Sequence, residues 1–360
     1  MLKLRYYFLM LCIMIAHLVI LVSCKKSTGD PKEDSKENPV IPGKEEEEEG
    51  PVVRVTPNVI VAADGSGDYR SVQAAIDDAP RNRNAYYYIY IRKGIYKEVI
   101  TIPGDKPYLY LIGEDAATTV LTYDNYAAKE SPGGGTYGTS GSASFFARGS
   151  NFVAERLTFE NSSGINAGQA VAINITGELS AFRNCRFLGF QDTWLANDGT
   201  KQYLKNCYIA GTVDFIFGGS TAYFQQCEIY SERGGYLTAA ATPQNQAYGY
   251  VFDRCNLTAI ATLGTGSVFL GRPWGPYAHV VFIACNMGAH IAAAGWNNWG
   301  DAANEKTANY AESGSTGPGF QAGQRVSWSR QLSSSVANLH YSRTTVLGNW
   351  SPFVNWELVL

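Results

Sequence analysis

The stretch FRNCRFLGFQDTWLANDGTKQYLKNCYI, residues 182–209, holds two copies of one short pattern. FRNCRF (182–187) and LKNCYI (204–209) each set a cysteine in an alternating segment, with an apolar residue two places later. FQQCEI (224–229), FDRCNL (252–257) and FIACNM (282–287) repeat it, and VAERLTF (153–159) offers a further copy with Leu157 in the cysteine slot. The spacings are 28, 22, 20, 28 and 30 residues. One short strand per irregular period of this length predicts a solenoid whose coils stack while their loops vary. Neighbouring strands lie about 4.8 Å apart, so equivalent positions should form ladders of like residues. A β-sandwich with chance cysteine spacing is the competing fold.

Working outward, SVQAAIDDAP places Val72, Ala75, Ile76 and Ala79 at helical spacing behind a capping Ser71, and Pro80 closes the run. Such a helix can cover the open end of a solenoid. YYYIYIRKGIYKEVITI and YLYLIGE then read as strands, and SPGGGTYGTSGSAS (131–144) as a long glycine-rich loop, either surface or groove wall.

Forty-five percent hydrophobic and 13% aromatic content supply a sizeable core, and a net charge of −3 leaves no basic footprint. Nucleic acid is therefore excluded as an expected partner. At the N-terminus, Lys3 and Arg5 precede an apolar run from Phe8 to Val22, shorter than a spanning helix needs. Residues 1–23 read as a signal peptide. Leu21-Val22-Ser23-Cys24 resembles the lipobox of bacterial lipoproteins, which predicts lipidation of Cys24 and a membrane anchor. Residues 24–56, with five consecutive glutamates, read as a charged tether, and 57–360 as the folded domain. The expected location is the cell envelope or surface.

Five cysteines lie in the folded part, so at least one stays free. A bridge between Cys207 and Cys227, on adjacent proposed coils, is left open. The histidines form no close metal-binding pair, and there is no GxSxG elbow. Neither metal nor cofactor is expected.

Asp192 lies seven residues after Cys185, and Asp214 seven after Cys207. If the cysteines stack, the two carboxyls share one face in adjacent coils. Two close carboxylates do not both ionise cheaply, which suits an acid and nucleophile pair.

Five ordered segments carry a family resemblance: Gly94-Ile95-Tyr96-Lys97-Glu98, Gln169-Ala170-Val171-Ala172, Gln191-Asp192-Thr193, Asp214-Phe215-Ile216-Phe217-Gly218 and Leu270-Gly271-Arg272-Pro273-Trp274. Together they resemble the signature segments of the pectin methylesterases, over roughly residues 57–355. The resemblance implies an all-β, right-handed single-stranded parallel β-helix that hydrolyses the methyl esters of pectin. It implies that Asp214 is the nucleophile, Asp192 the acid and then the base, Gln169 and Gln191 the oxyanion donors, and Arg272 the partner of Asp214. Trp274, Phe217 and Trp194 are the expected sugar-lining aromatics, although the family usually has leucine at the last position. Tyr96 and Glu98 are expected to be structural. A pectate lyase, a polygalacturonase or a non-catalytic pectin-binding surface protein remain the alternatives, and a monomer is expected.

Overall fold

A computed structural model describes residues 52–360. The proposed signal segment, Cys24 and most of the tether lie outside them. Nearly every strand pairs in parallel with the strand one coil away, which excludes the sandwich and forms a right-handed parallel β-helix.

Each coil has three faces. Among the described residues the first carries eleven strands, from Val59–Val61 through Ser180–Arg183, Lys201–Lys205 and Thr221–Gln225 to Arg330–Gln331. The second runs through Thr158–Asn161, Arg186–Leu188 and the start of the long strand Tyr208–Gly218. The third runs through Phe145–Ala147, Ile173–Ile175, Trp194–Ala196 and the end of that long strand. From there it continues into Glu228–Ala240 and Val268–Pro273.

The cysteine repeat marks the corner from first face to second. Asn184, Asn206, Gln226, Arg254 and Ala284, each just before a cysteine, and Arg156 before Leu157 all have φ between 50° and 55°. A single left-handed residue turns the chain, and the next side chain drops into the core. The five cysteines among the described residues are buried free thiols, so the Cys207–Cys227 pairing left open by the sequence is not made. Their Sγ atoms face carbonyls of the preceding coil, as Cys207 faces Phe182 at 3.4 Å and Cys255 faces Phe224 at 3.4 Å. Ladders of like residues form as expected. Phe224, Phe252 and Phe282 stack with centroids 4.4 and 4.5 Å apart.

Helix Val72–Asp78 caps the first coils with Val72, Ala75 and Ile76 inward, and Ser71 Oγ accepts from the Ala74 N–H. Glu98 receives the N–H groups of Val72 and Gln73, while buried Tyr96 donates to the Arg92 carbonyl. Both residues are thus structural, as expected. The C-terminal segment is unanticipated by the sequence. Helices Ser334–Tyr341 and Arg343–Leu347 lay Tyr341, Val346 and Leu347 over an outward row of Tyr203, Tyr223, Val251 and Val281 on the first face. Strand Trp356–Leu358 then pairs with Val53–Val55. Among the described residues no helix is long and apolar enough to cross a membrane.

Candidate active site

The corner from second face to third holds the two aspartates. Trp194 pairs with Ile216, so Asp192 and Asp214 occupy equivalent positions of successive coils. Their φ values are 68° and 52°. Aspartate tolerates this left-handed backbone better than most residues, and it turns the chain here as the residues before the cysteines do at their corner. The Asp192 N–H donates to the Val213 carbonyl at 3.1 Å, and one coil earlier Gln169 and Gln191 form a parallel bridge. Asp192 is 4% and Asp214 6% exposed, so both are buried at this corner.

Arg272 approaches from a later coil. Its Nε meets Asp214 Oδ1 at 2.9 Å and its Nη2 meets Oδ2 at 2.6 Å, a two-pronged pairing of guanidinium and carboxylate. Burial raises the Asp214 pKa, and Arg272 opposes the rise. Asp192 has no such partner. Burial first, then the Asp214 charge, push it to about 7, against a hydrogen bond from Gln169 and the charge of Arg272. The two carboxyls thus differ in kind: Asp214 is ion-paired, while Asp192 keeps its proton close to neutrality.

Phe217 and Trp274 stand beside this pair with ring centroids 5.9 Å apart, and Trp274 is 55% exposed. Phe217 continues into an outward apolar strip with Val171, Leu195 and Ala239. The expectation for Trp194 is corrected: it is fully buried, packed on Phe224 and Tyr250 inside the coil. Leu195, the next residue, is the one that faces outward at this rung. The loop 131–144 closes against the same rungs, where Ser142 Oγ accepts from the Val171 N–H and the Asn161 amide donates to the Ser142 carbonyl. Two groups escaped the sequence reading, Tyr236 and Trp299, whose rings flank Arg272. A register shift between Val213 and Ile216 hides Tyr236 from residue counting, and Trp299 lies outside the repeat. Among the described residues no three His, Cys, Asp or Glu side chains converge as a metal site.

Comparison with known proteins makes this chain a carboxylic ester hydrolase. The pectinesterase family model matches residues 58–349, and the chain belongs to the pectinesterase family. It is 44% identical to pectinesterase 31 of Arabidopsis thaliana over 79% of this chain and 91% of that one. With a pectinesterase of Daucus carota it shares 37% identity over 76% of this chain and 87% of the other. Among solved structures, carrot pectin methylesterase superposes with a TM-score of 0.77 at 33% identity, covering 83% of this chain and 95% of that one. A pectin methylesterase solved in complex with a hexasaccharide gives 0.73 at 28% identity, covering 83% and 99%.

Proposed function

We propose that this chain hydrolyses the methyl esters of methyl-esterified homogalacturonan, giving pectate and methanol through an acyl-enzyme on Asp214. The observation that carries the residue roles is the placement of Asp192 and Asp214 at one rung position, only the second bound to Arg272. An Asp214 oxygen attacks the ester carbonyl carbon, and charge collects on the carbonyl oxygen. Gln169 and Gln191, bridged on adjacent coils, are the donors assigned to that oxygen. Collapse breaks the bond to the methoxy group, which departs as methanol with the proton of Asp192. Asp192, now a carboxylate, takes a proton from water whose oxygen attacks the anhydride; Asp214 leaves as carboxylate and Asp192 is again protonated. Arg272 steadies the nucleophile throughout, and Phe217 and Trp274 offer apolar faces to the sugar and the methyl group.

The test is residues 51–360 incubated with highly methylated pectin, following methanol, ultraviolet-absorbing unsaturated ends and chain shortening together. Methanol alone is expected. Unsaturated ends would indicate a lyase and shortening without them a polygalacturonase. Binding without products would indicate an adhesin. Asp214→Ala and Asp192→Ala should each remove nearly all methanol release from a folded protein, and wild-type turnover in either would overturn that residue's role.

The proposal extends to export, with lipid attached at Cys24 and the enzyme acting as a monomer. The pattern of residues 1–24 supports export and the lipid, and a solenoid with capped ends, which needs no partner, supports the monomer. Incorporation of labelled palmitate into the full chain, abolished in Cys24→Ala, is the expected result, and sedimentation of residues 51–360 tests the monomer.

A further inference from the structure

Arg272 does more than pair with Asp214. Its guanidinium carbon lies 4.0 Å from the ring centroid of Tyr236 and 3.8 Å from that of Trp299. Both separations are well inside the range over which a cation is drawn to an aromatic face. Tyr236 is itself braced, stacked on Phe269 at 5.5 Å and 18°. Trp299 is held from the other direction. The Asn297 N–H donates to the carbonyl of Gly271, the residue before Arg272, and Gly271 also bridges Trp296. Trp296 stacks on Tyr310 at 4.2 Å, fixing the root of the loop in the core. From that root Trp299 reaches back over the guanidinium with φ 62°, its N–H bonded to Asn297 Oδ1 at 2.8 Å. A bulky residue in the left-handed region is rare and costly, so the strain needs a return.

We infer that Trp299 is a positioning residue: with Tyr236 it clamps the Arg272 guanidinium in the plane that grips both oxygens of Asp214, and thereby keeps the nucleophile charged. This inference rests on the mechanism proposed above. The rings restrict swing of the side chain and displace water that would otherwise weaken the pair. Trp299 is 38% exposed, so it forms the solvent-facing side of the clamp. The titratable groups that act on the guanidinium are Asp214, Asp192 and Tyr236, and Tyr310, which burial keeps neutral, faces Asp214.

The experiment compares Trp299→Leu and Trp299→Phe with wild type. Loss of the ring loosens Arg272, whose charge lowers both carboxyls, so both limbs of the pH profile of kcat/KM should move to higher pH. The expected movement is roughly half a unit in the leucine variant, with kcat reduced more than KM is raised, and largely restored by phenylalanine. If Trp299→Leu raises KM with both limbs unmoved, the residue is a sugar platform and the inference fails. A second readout does not depend on turnover: the carbon-13 carboxyl titration of Asp214, assigned by its disappearance in Asp214→Asn, should shift upward in Trp299→Leu. An unshifted Asp214 titration overturns the clamp and leaves ester hydrolysis intact, whereas a shifted titration in a protein that releases no methanol upholds the clamp and sinks the mechanism.

Discussion

Asp192 and Asp214 stand one above the other on consecutive coils, and the backbone N–H of the first reaches the carbonyl just before the second, at 3.1 Å. Their likeness in backbone is not matched in charge, because Arg272 reaches only Asp214 through hydrogen bonds. A protonated acid and an ionised nucleophile therefore coexist within one rung of each other.

Activity should follow a bell-shaped pH profile. Asp214 must be ionised and Asp192 protonated, so methanol release should fall as pH rises past about 7. On the acidic side it should fall as Asp214 takes up a proton, above the ordinary aspartate range because burial raises that group. Initial rates on methylated pectin across the range check both limbs. A rate still climbing well above neutrality would reverse the assignment of Asp192.

Asp192→Asn should trade activity for stability. Folding raises the Asp192 pKa from 3.8 to about 7, so the folded state binds this proton more tightly than the unfolded chain. Its favourable contribution is therefore complete below the unfolded value and lost as pH climbs through that window. Above neutrality the asparagine variant should be more stable than wild type by on the order of a few kcal/mol, and the gap should shrink towards pH 4. Denaturant melts at both pH values decide it.

Arg272→Lys should behave as a severe change. One ammonium cannot grip both oxygens of Asp214 in the same plane, and it loses the flat surface that Tyr236 and Trp299 cover. A fall in kcat of roughly a hundredfold is expected, with the fold retained. Near-normal kcat would show that charge alone suffices.

On the first face, Glu155 is buried beneath the C-terminal segment. It pairs with Arg183 at 2.8 and 2.9 Å and accepts from Tyr110 and from Trp356 Nε1. Arg183 in turn donates to the Val354 carbonyl and lies 5.0 Å from the Phe353 ring. Glu155→Leu strands that guanidinium and should cost about 3 kcal/mol. Limited proteolysis should then cut within residues 343–355 sooner, while methanol release per folded molecule is unchanged.

Ala284 holds the same left-handed corner that asparagine holds at Asn184 and Asn206, with φ 50° and an exposed side chain. Ala284→Gly and Ala284→Asn should both stabilise, by roughly 0.5–1 kcal/mol. A loss of stability in both would mean that the corner is held by something other than backbone preference.

The cysteine spacing was sufficient to read the coils, because a buried residue behind a one-residue corner recurs wherever the chain turns. Equal offsets from Cys185 and Cys207 placed both aspartates for the same reason. Counting failed one step later. Alternation cannot be carried through Asp192, whose φ of 68° resets which side chains point inward, and so Trp194 turned out to be core and Leu195 the outward residue. The C-terminal cover was not legible because its helices are short and their apolar residues meet the outside of a face that itself reads as solvent-exposed. Trp299 escaped because its place is set by hydrogen bonds to Gly271, not by any repeat.

Loops of very different length leave the coil between the second and third faces, from the five residues at 189–193 to the long excursion through 124–144. Strands on either side keep their pairing regardless. Slack let out at these exits does not travel into the rungs, so the surroundings of the two aspartates can be retailored, length by length, while the reacting atoms stay where they are.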